Sequence, residues 1–325
     1  MVPKFGAIIP TRGPLATRDG LLAIAKRAEM LGFDFVSVSD HIVIPRRIAS
    51  QYPYSATGAY PGDKDERDQC LEQLTALTFL AGVTSHVKLL TSVMVVPYRS
   101  PVHTAKILAS LDVLSRGRLV VGCGAGWMRE EFEAVQAPPY ERRGAVTDEY
   151  LRAFKELWTA KSPSFEGEFC KFSGIAFEPK PVQKPTPPIW IGGESPPALR
   201  RAGRFADCWY PIGSNPEYPV ATPKQLRTSL AQVRKHAQEA GRDPSAVGVA
   251  YATGWYNELE VEKDAAGKRR MFTGSAKQIA GDFNAFAEEG VKHFLFNLMS
   301  KELDETLARM ERFANEVRPL VEAAK

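Results

Sequence analysis

The chain has 325 residues, 44% of them hydrophobic and 25% charged, a globular composition with room for one large α/β barrel or two medium domains. Its 42 basic and 38 acidic residues leave a formal net charge of +4, too small and too scattered an excess to argue for nucleic acid as a partner. The apolar runs are strand-length, so no membrane span is expected, and Met1-Val2-Pro3-Lys4 carries no apolar signal core. Cys70, Cys123, Cys170 and Cys208 stand far apart; they read as reduced thiols of a cytoplasmic protein, not as a disulfide set or a zinc site.

Strand and helix patterns alternate along the chain. Lys4 to Ile9 reads as a strand. Thr17 caps a helix to Leu31, with Leu21, Leu22, Ala25, Ala28 and Leu31 at helical spacing, and Gly32 stops it. Phe33 to Val38 reads as strand two and runs into Ser39-Asp40-His41. A long polar loop with Pro53, Gly58, Pro61 and Gly62 follows, of a length that in a compact domain serves function or mobility. Helix two is expected over Gln69 to Thr84, strand three over Val87 to Val96 and helix three over Val102 to Leu114. Leu119-Val120-Val121 then makes a strand ending in Gly122-Cys123-Gly124-Ala125-Gly126-Trp127.

Further on, Arg143 to Trp158 reads as a helix. Residues 162 to 188 break the rhythm with four phenylalanines and then five prolines; they are expected to form a hairpin and an irregular insertion. Strands are expected at Ile189 to Ile191, Ala206 to Tyr210, Val247 to Ala252 and His293 to Asn297. Helices are expected at Pro196 to Phe205, Pro223 to Ala240, Ser275 to Glu289 and Leu303 to Val317. Strand–helix units in one uninterrupted run, with no domain boundary, predict a single (β/α)8 TIM barrel over 1-325, with insertions at the C-terminal strand ends.

In such a barrel the chemistry sits where strands run out. Two of those ends are glycine-rich, several carry aromatics and one carries Asp40-His41. The spacing G-x-G-x-G is neither the dinucleotide fingerprint nor a Walker loop. By itself it fits a plain tight turn as well as a cradle for a phosphate or a flat ring. Small-residue loops, aromatic walls and one titratable group together describe a flavin-type pocket. His41 is the leading catalytic candidate, since imidazole exchanges protons near neutral pH, and Asp40 could orient it or bind a cofactor hydroxyl. The bland alternative packs His41 under the long loop with Asp40 as its cap; the barrel context favours function. His86, His103, His236 and His293 read as structural or solvent-facing. No spacing suits a metal, and no Gly-x-Ser-x-Gly elbow supports serine hydrolysis.

The phrases Ala28-Glu29-Met30-Leu31-Gly32-Phe33-Asp34, Ser39-Asp40-His41 and Leu90-Thr91-Ser92-Val93 recur in a family. So do Leu111 to Arg118, Gly124-Ala125-Gly126-Trp127, Pro187 to Gly193 and Arg201 to Asp207. Through them the chain resembles the bacterial luciferase-like superfamily of flavin- and deazaflavin-dependent oxidoreductases, over nearly its whole length. The Ser-Asp-His version looks most like the branch labelled as using coenzyme F-420. The resemblance implies FMN or coenzyme F-420 seated at the strand ends, against Ile9, Asp40, Ser92, Val93, Gly124, Ala125, Gly126, Trp127, Gly192 and Gly193. It also implies a cis peptide at Ser92-Val93. Trp127 stands where a sugar-phosphate-oxidising subgroup has a glutamate, so that acid role does not carry over. The implied activity is oxidation of a small organic substrate, either as a monooxygenase with reduced FMN and oxygen, fed by a separate flavin reductase, or by hydride transfer with F-420. A homodimer is expected by analogy. The competing reading is a non-catalytic flavin-binding barrel or partner protein.

Overall fold

The computed structural model describes residues 2–61, 69–264 and 266–322. It is a closed (β/α)8 barrel. The strands are β1 (Lys4–Ile9), β2 (Phe35–Val38), β3 (Lys88–Thr91), β4 (Met94–Val95), β5 (Leu119–Gly124), β8 (Ile189–Gly192), β9 (Cys208–Tyr210), β10 (Gly248–Ala252) and β11 (Val291–Phe296); β6 (Phe165–Glu166) and β7 (Lys171–Phe172) form a separate hairpin. The order β3-β2-β1-β11-β10-β9-β8-β5 is parallel throughout, and Leu89–Leu119 and Leu90–Val120 pairing closes the ring. The connecting helices are α1 (Arg18–Met30), α2 (Gln73–Val83), α3 (Pro101–Leu114), α4 (Arg129–Ala134), α5 (Arg143–Thr159), α6 (Pro196–Phe205), α7 (Pro223–Glu239), α8 (Ala276–Glu288), α9 (Leu303–Arg312) and α10 (Arg318–Glu322).

Two apolar layers follow from the period of two along each strand. Phe35, Leu90, Val120, Trp190, Cys208, Tyr210, Ala250 and Leu295 fill the lumen. Phe5, Ala7 and Ile9 point the other way, into the large core between strands and helices. In the lumen His293 stacks on Trp190 (5.1 Å between ring centroids) and meets Phe35 edge-on (5.3 Å). Burial, helped by Lys4, Lys88 and Lys292, pushes this imidazole down to about 4. The opposite face of the ring wall is pinned by Arg118. Its guanidinium donates to the carbonyls of Ala81, Thr84, Val87 and Ser115 and to the Thr84 hydroxyl, so one side chain satisfies the carbonyls that end α2.

Most elements lie within a few residues of their sequence expectation, and the differences have local causes. The sequence predicts that strand three reaches Val96; it stops at Thr91 and resumes at Met94, and the Ser92–Val93 peptide between the two pieces is cis. Helix two starts at Gln73 rather than Gln69, where the Glu72 carboxylate accepts from Thr75 N (2.6 Å). The last helix passes through a π turn at Phe313–Val317 before α10. Helix α4 had no periodic apolar stripe to announce it. Residues 162 to 188 do contain the hairpin. It runs along the outside of α5, where the Glu149 carboxylate accepts from the N–H groups of Glu168, Phe169 and Cys170. Gly62 of the polar loop lies outside the described residues.

Arg118→Met is expected to lower stability by about 2 kcal/mol, since charged hydrogen bonds to buried carbonyls contribute about that much; urea denaturation reads it. His293 binds its proton more weakly folded than unfolded, so the unfolded chain holds more protons between the two values. Stability should therefore fall as pH drops from the ordinary histidine range towards 4, and His293→Phe should flatten that fall in thermal melts taken across the window.

Candidate active site

The turn after β2 carries Ser39-Asp40-His41. The Asp40 side chain is wholly buried and grips Arg99, with Nη1 to Oδ2 at 2.8 Å and Nη2 to Oδ1 at 2.7 Å. Val95 N also donates to it (2.8 Å), and Arg99 continues to Glu72 (2.8 Å). A bidentate, buried pair of this kind fixes geometry more than it exchanges protons.

His41 has a different partner. Its Nδ1 lies 2.7 Å from Oε2 of Glu131, whose side chain is fully buried on α4. Glu131 also accepts from Tyr98 Oη (2.9 Å) and from the N–H groups of Ile42 (2.7 Å) and Val43 (3.2 Å). A carboxylate only accepts, so Nδ1 carries the ring proton in the neutral imidazole and Nε2 is left as the acceptor. Nε2 meets Tyr60 Oη at 2.8 Å. Arg12 in turn donates to Tyr60 Oη and lies over its ring, 4.8 Å from the centroid. Next along α4, Glu130 accepts from Ala49 N (2.7 Å), Ser50 N (3.0 Å) and Ser50 Oγ (2.7 Å). The long loop is thus fastened to α4 by two adjacent glutamates. Above His41 the loop supplies aromatic rings: Tyr52 and Tyr60 pack on Trp127 at 5.1 and 5.3 Å, and Tyr54 on Tyr52 at 5.6 Å.

The other half of the site is the cis bulge. A Cβ on Gly122 would lie 2.1 Å from Thr91 O, and one on Gly124 2.7 Å from Val93 Cγ2. The glycines therefore make room for the bulge, and Val93 nests between Gly124 and Gly192, where a Cβ would lie 3.2 Å away. Ser92 Oγ reaches Tyr210 Oη at 3.0 Å. Gly193 turns with φ +100 into α6, whose cap residue Ser195 makes no side-chain cap bond. The following Glu194 is buried and accepts from Ile212 N (2.7 Å) and Asn215 Nδ2 (2.8 Å); burial outweighs those bonds and pushes its carboxyl up to about 7.

Of the residues singled out in the sequence, Ser92, Val93, Gly124 and Gly192 come together around the bulge, with Gly193 directly after. Trp127 lies across from them beside the His41 corner, and Gly126 accepts from Arg143 Nε (3.2 Å). Ala125 stands partly exposed between. Two expectations change. Ile9 does not line the mouth: it is fully buried in the core outside the barrel, and Ile8 shares the lumen face of Gly6. The group orienting His41 is Glu131, since the Asp40 carboxylate is engaged by Arg99 and Val95.

A family model described as luciferase-like monooxygenase matches residues 4–256. The chain belongs to the luciferase-like monooxygenase family. A phthiodiolone/phenolphthiodiolone dimycocerosates ketoreductase of Mycobacterium bovis is 30% identical over 304 residues, covering 89% of this chain and 74% of that protein. An FMNH2-dependent dimethylsulfone monooxygenase of Pseudomonas putida is 30% identical over 228 residues, 69% of this chain and 61% of that one. Among solved structures, an F-420-dependent secondary alcohol dehydrogenase in complex with an F-420–acetone adduct superposes with a TM-score of 0.74 at 20% identity, covering 99% of both chains.

In this luciferase-like barrel, Glu131, Tyr60 and Arg99 are the site residues that sequence reasoning passed over. Glu131 sat in an acidic run that reads as a solvated helix face, and only its neighbour Phe132, buried beside it, hinted that the helix turns inward. Asp40→Ala should destabilise the protein by about 2–3 kcal/mol, since it removes the bidentate partner of Arg99 and leaves that guanidinium only Glu72 among the described residues, measured by chemical denaturation.

Proposed function

We propose that the protein is an oxidoreductase that works through FMN or coenzyme F-420 held over the cis bulge, on a small organic substrate. The observation that carries the reading is the bulge itself: Val93 between Gly124 and Gly192, at the same mouth as a histidine backed by a buried carboxylate. The fit to such a group rests on two features. Glycines at 124 and 192 keep the wall around the bulge thin enough for a flat ring to approach. The turn Gly193-Glu194-Ser195 before α6, with no side-chain cap at Ser195, offers its own backbone N–H groups to a phosphate; Pro196 and Pro197 carry none, so of the first three helical residues only Ala198 adds one.

When bound, the cofactor supplies the electron pair chemistry. The chain's own residues hold its ring against Ser92–Val93, exclude water beneath Trp127 and the loop tyrosines, and exchange the proton at the His41 corner. Hydride transfer with F-420 uses every one of these parts, because a proton must move at the substrate when a hydride does. Monooxygenation with reduced FMN and oxygen is the second reading, favoured by the relatives that bear that name; it requires a separate flavin reductase. A homodimer in the cytoplasm completes the reading.

Titration with oxidised and reduced FMN and with F-420 tests it: one should bind with micromolar or tighter affinity, and failure of both ends the proposal. His41→Ala should leave cofactor affinity unchanged while turnover falls about 100-fold or more, the contribution of a positioned acid or base. Turnover equal to wild type would remove His41 from the chemistry.

A further inference from the structure

Both ring nitrogens of His41 are taken by protein groups, Nδ1 by Glu131 and Nε2 by Tyr60. The imidazole has no third position with which to meet a substrate. A phenol oxygen carries one donor and two acceptor sites. Tyr60 Oη donates to His41 and accepts from Arg12, which leaves one acceptor site with no partner among the described residues. Its ring lies beside Trp127 (5.3 Å) and Tyr52 (5.4 Å), under the loop that roofs the mouth.

We propose that Tyr60 Oη, backed by the His41–Glu131 pair and by Arg12, is the catalytic group that exchanges a proton with an oxygen atom of the substrate, which is an alcohol or the matching carbonyl compound. The inference rests on the oxidoreductase reading above. In the neutral state an alcohol O–H donates to that acceptor site on Tyr60. As the carbinol carbon gives its hydride to the oxidised flavin or deazaflavin, the alcohol proton passes to Tyr60 Oη, the former Tyr60 proton passes to Nε2, and a carbonyl compound remains. The imidazolium so formed is held by Glu131 through Nδ1–H. In the reverse direction Nε2–H donates to Tyr60, which then accepts from both His41 and Arg12 and donates its own O–H to the carbonyl. Arg12 lies close enough to steady negative charge on the phenol oxygen as the proton moves. His41 and Glu131 are positioning residues in this scheme.

Tyr60→Phe keeps the edge-on and tilted ring contacts and deletes only the hydroxyl. Histidine nitrogen NMR of the cofactor-free protein, with His41 identified by a His41→Asn control, should show the Nε2 resonance of His41 move in Tyr60→Phe. An unmoved resonance overturns the relay. Stopped-flow single turnovers with F-420 or FMN, using 2-propanol, cyclohexanol and their ketones as probes, should slow by about 100-fold or more in Tyr60→Phe with cofactor affinity unchanged, and the solvent isotope effect of the wild type should be lost. Turnover by Tyr60→Phe at the wild-type rate overturns the proposal. So does a wild type that binds cofactor yet turns over none of these probes. A wild type that binds neither cofactor defeats the oxidoreductase reading itself, and the binding result tells the two failures apart.

Discussion

A carboxylate with no access to water must find every hydrogen bond inside the protein, and Glu131 is such a group. Burying it alone would cost several kcal/mol, so the fold must bring donors to it from two places: Nδ1 of His41 and the N–H groups of Ile42 and Val43 on the turn after β2, and the hydroxyl of Tyr98 after the cis bulge. Meeting that demand draws together the ends of β2, β4 and β5. Asp40 repeats the logic a residue away, drawing Arg99 and the Val95 N–H onto the same turn. Two buried carboxylates therefore set the corner in which the histidine stands, and the histidine's orientation is a by-product of satisfying them.

The bulge is held by a different kind of force. Its surroundings are steric: Thr91 O and Val93 occupy the volume that side chains at 122 and 124 would fill. By itself the glycine phrase fits a plain turn as well as a cradle, and the structure shows that much of it serves shape complementarity between neighbouring strands. A thin wall is also what lets a planar ring come near, so packing and ligand access make the same demand of those positions.

The barrel was readable because alternation of strand and helix, with caps such as Thr17 and stops such as Gly32, survives in a single sequence. Facing was harder. Strands buried on both sides have no polar–apolar alternation to say which residues point inward, so nothing in the sequence separates Ile9, which faces the outer core, from Ile8 on the lumen face. Glu131 was hidden for a related reason. Its burial is a property of three distant segments, none of which marks it locally, and Glu130 beside it is chemically the same residue in a less buried setting. The histidine could be found from its place at a strand end; its partner could be found only from the folded chain.

The long loop after β2 has an architecture of its own. Glu130 clamps Ala49 and Ser50 at one end, and at the other Leu71 N donates to Thr11 O (2.9 Å). Between these posts the described part of the span is also held by its own side chains, Tyr60 on His41 and Arg12 and Tyr52 on Trp127. Closing a loop grows only slowly more costly with length. The span that carries Tyr52, Tyr54 and Tyr60 is therefore tied to the barrel at its ends and again at Tyr60, so a change of length between the posts costs little, whereas a change at Tyr60 reaches the His41 corner directly.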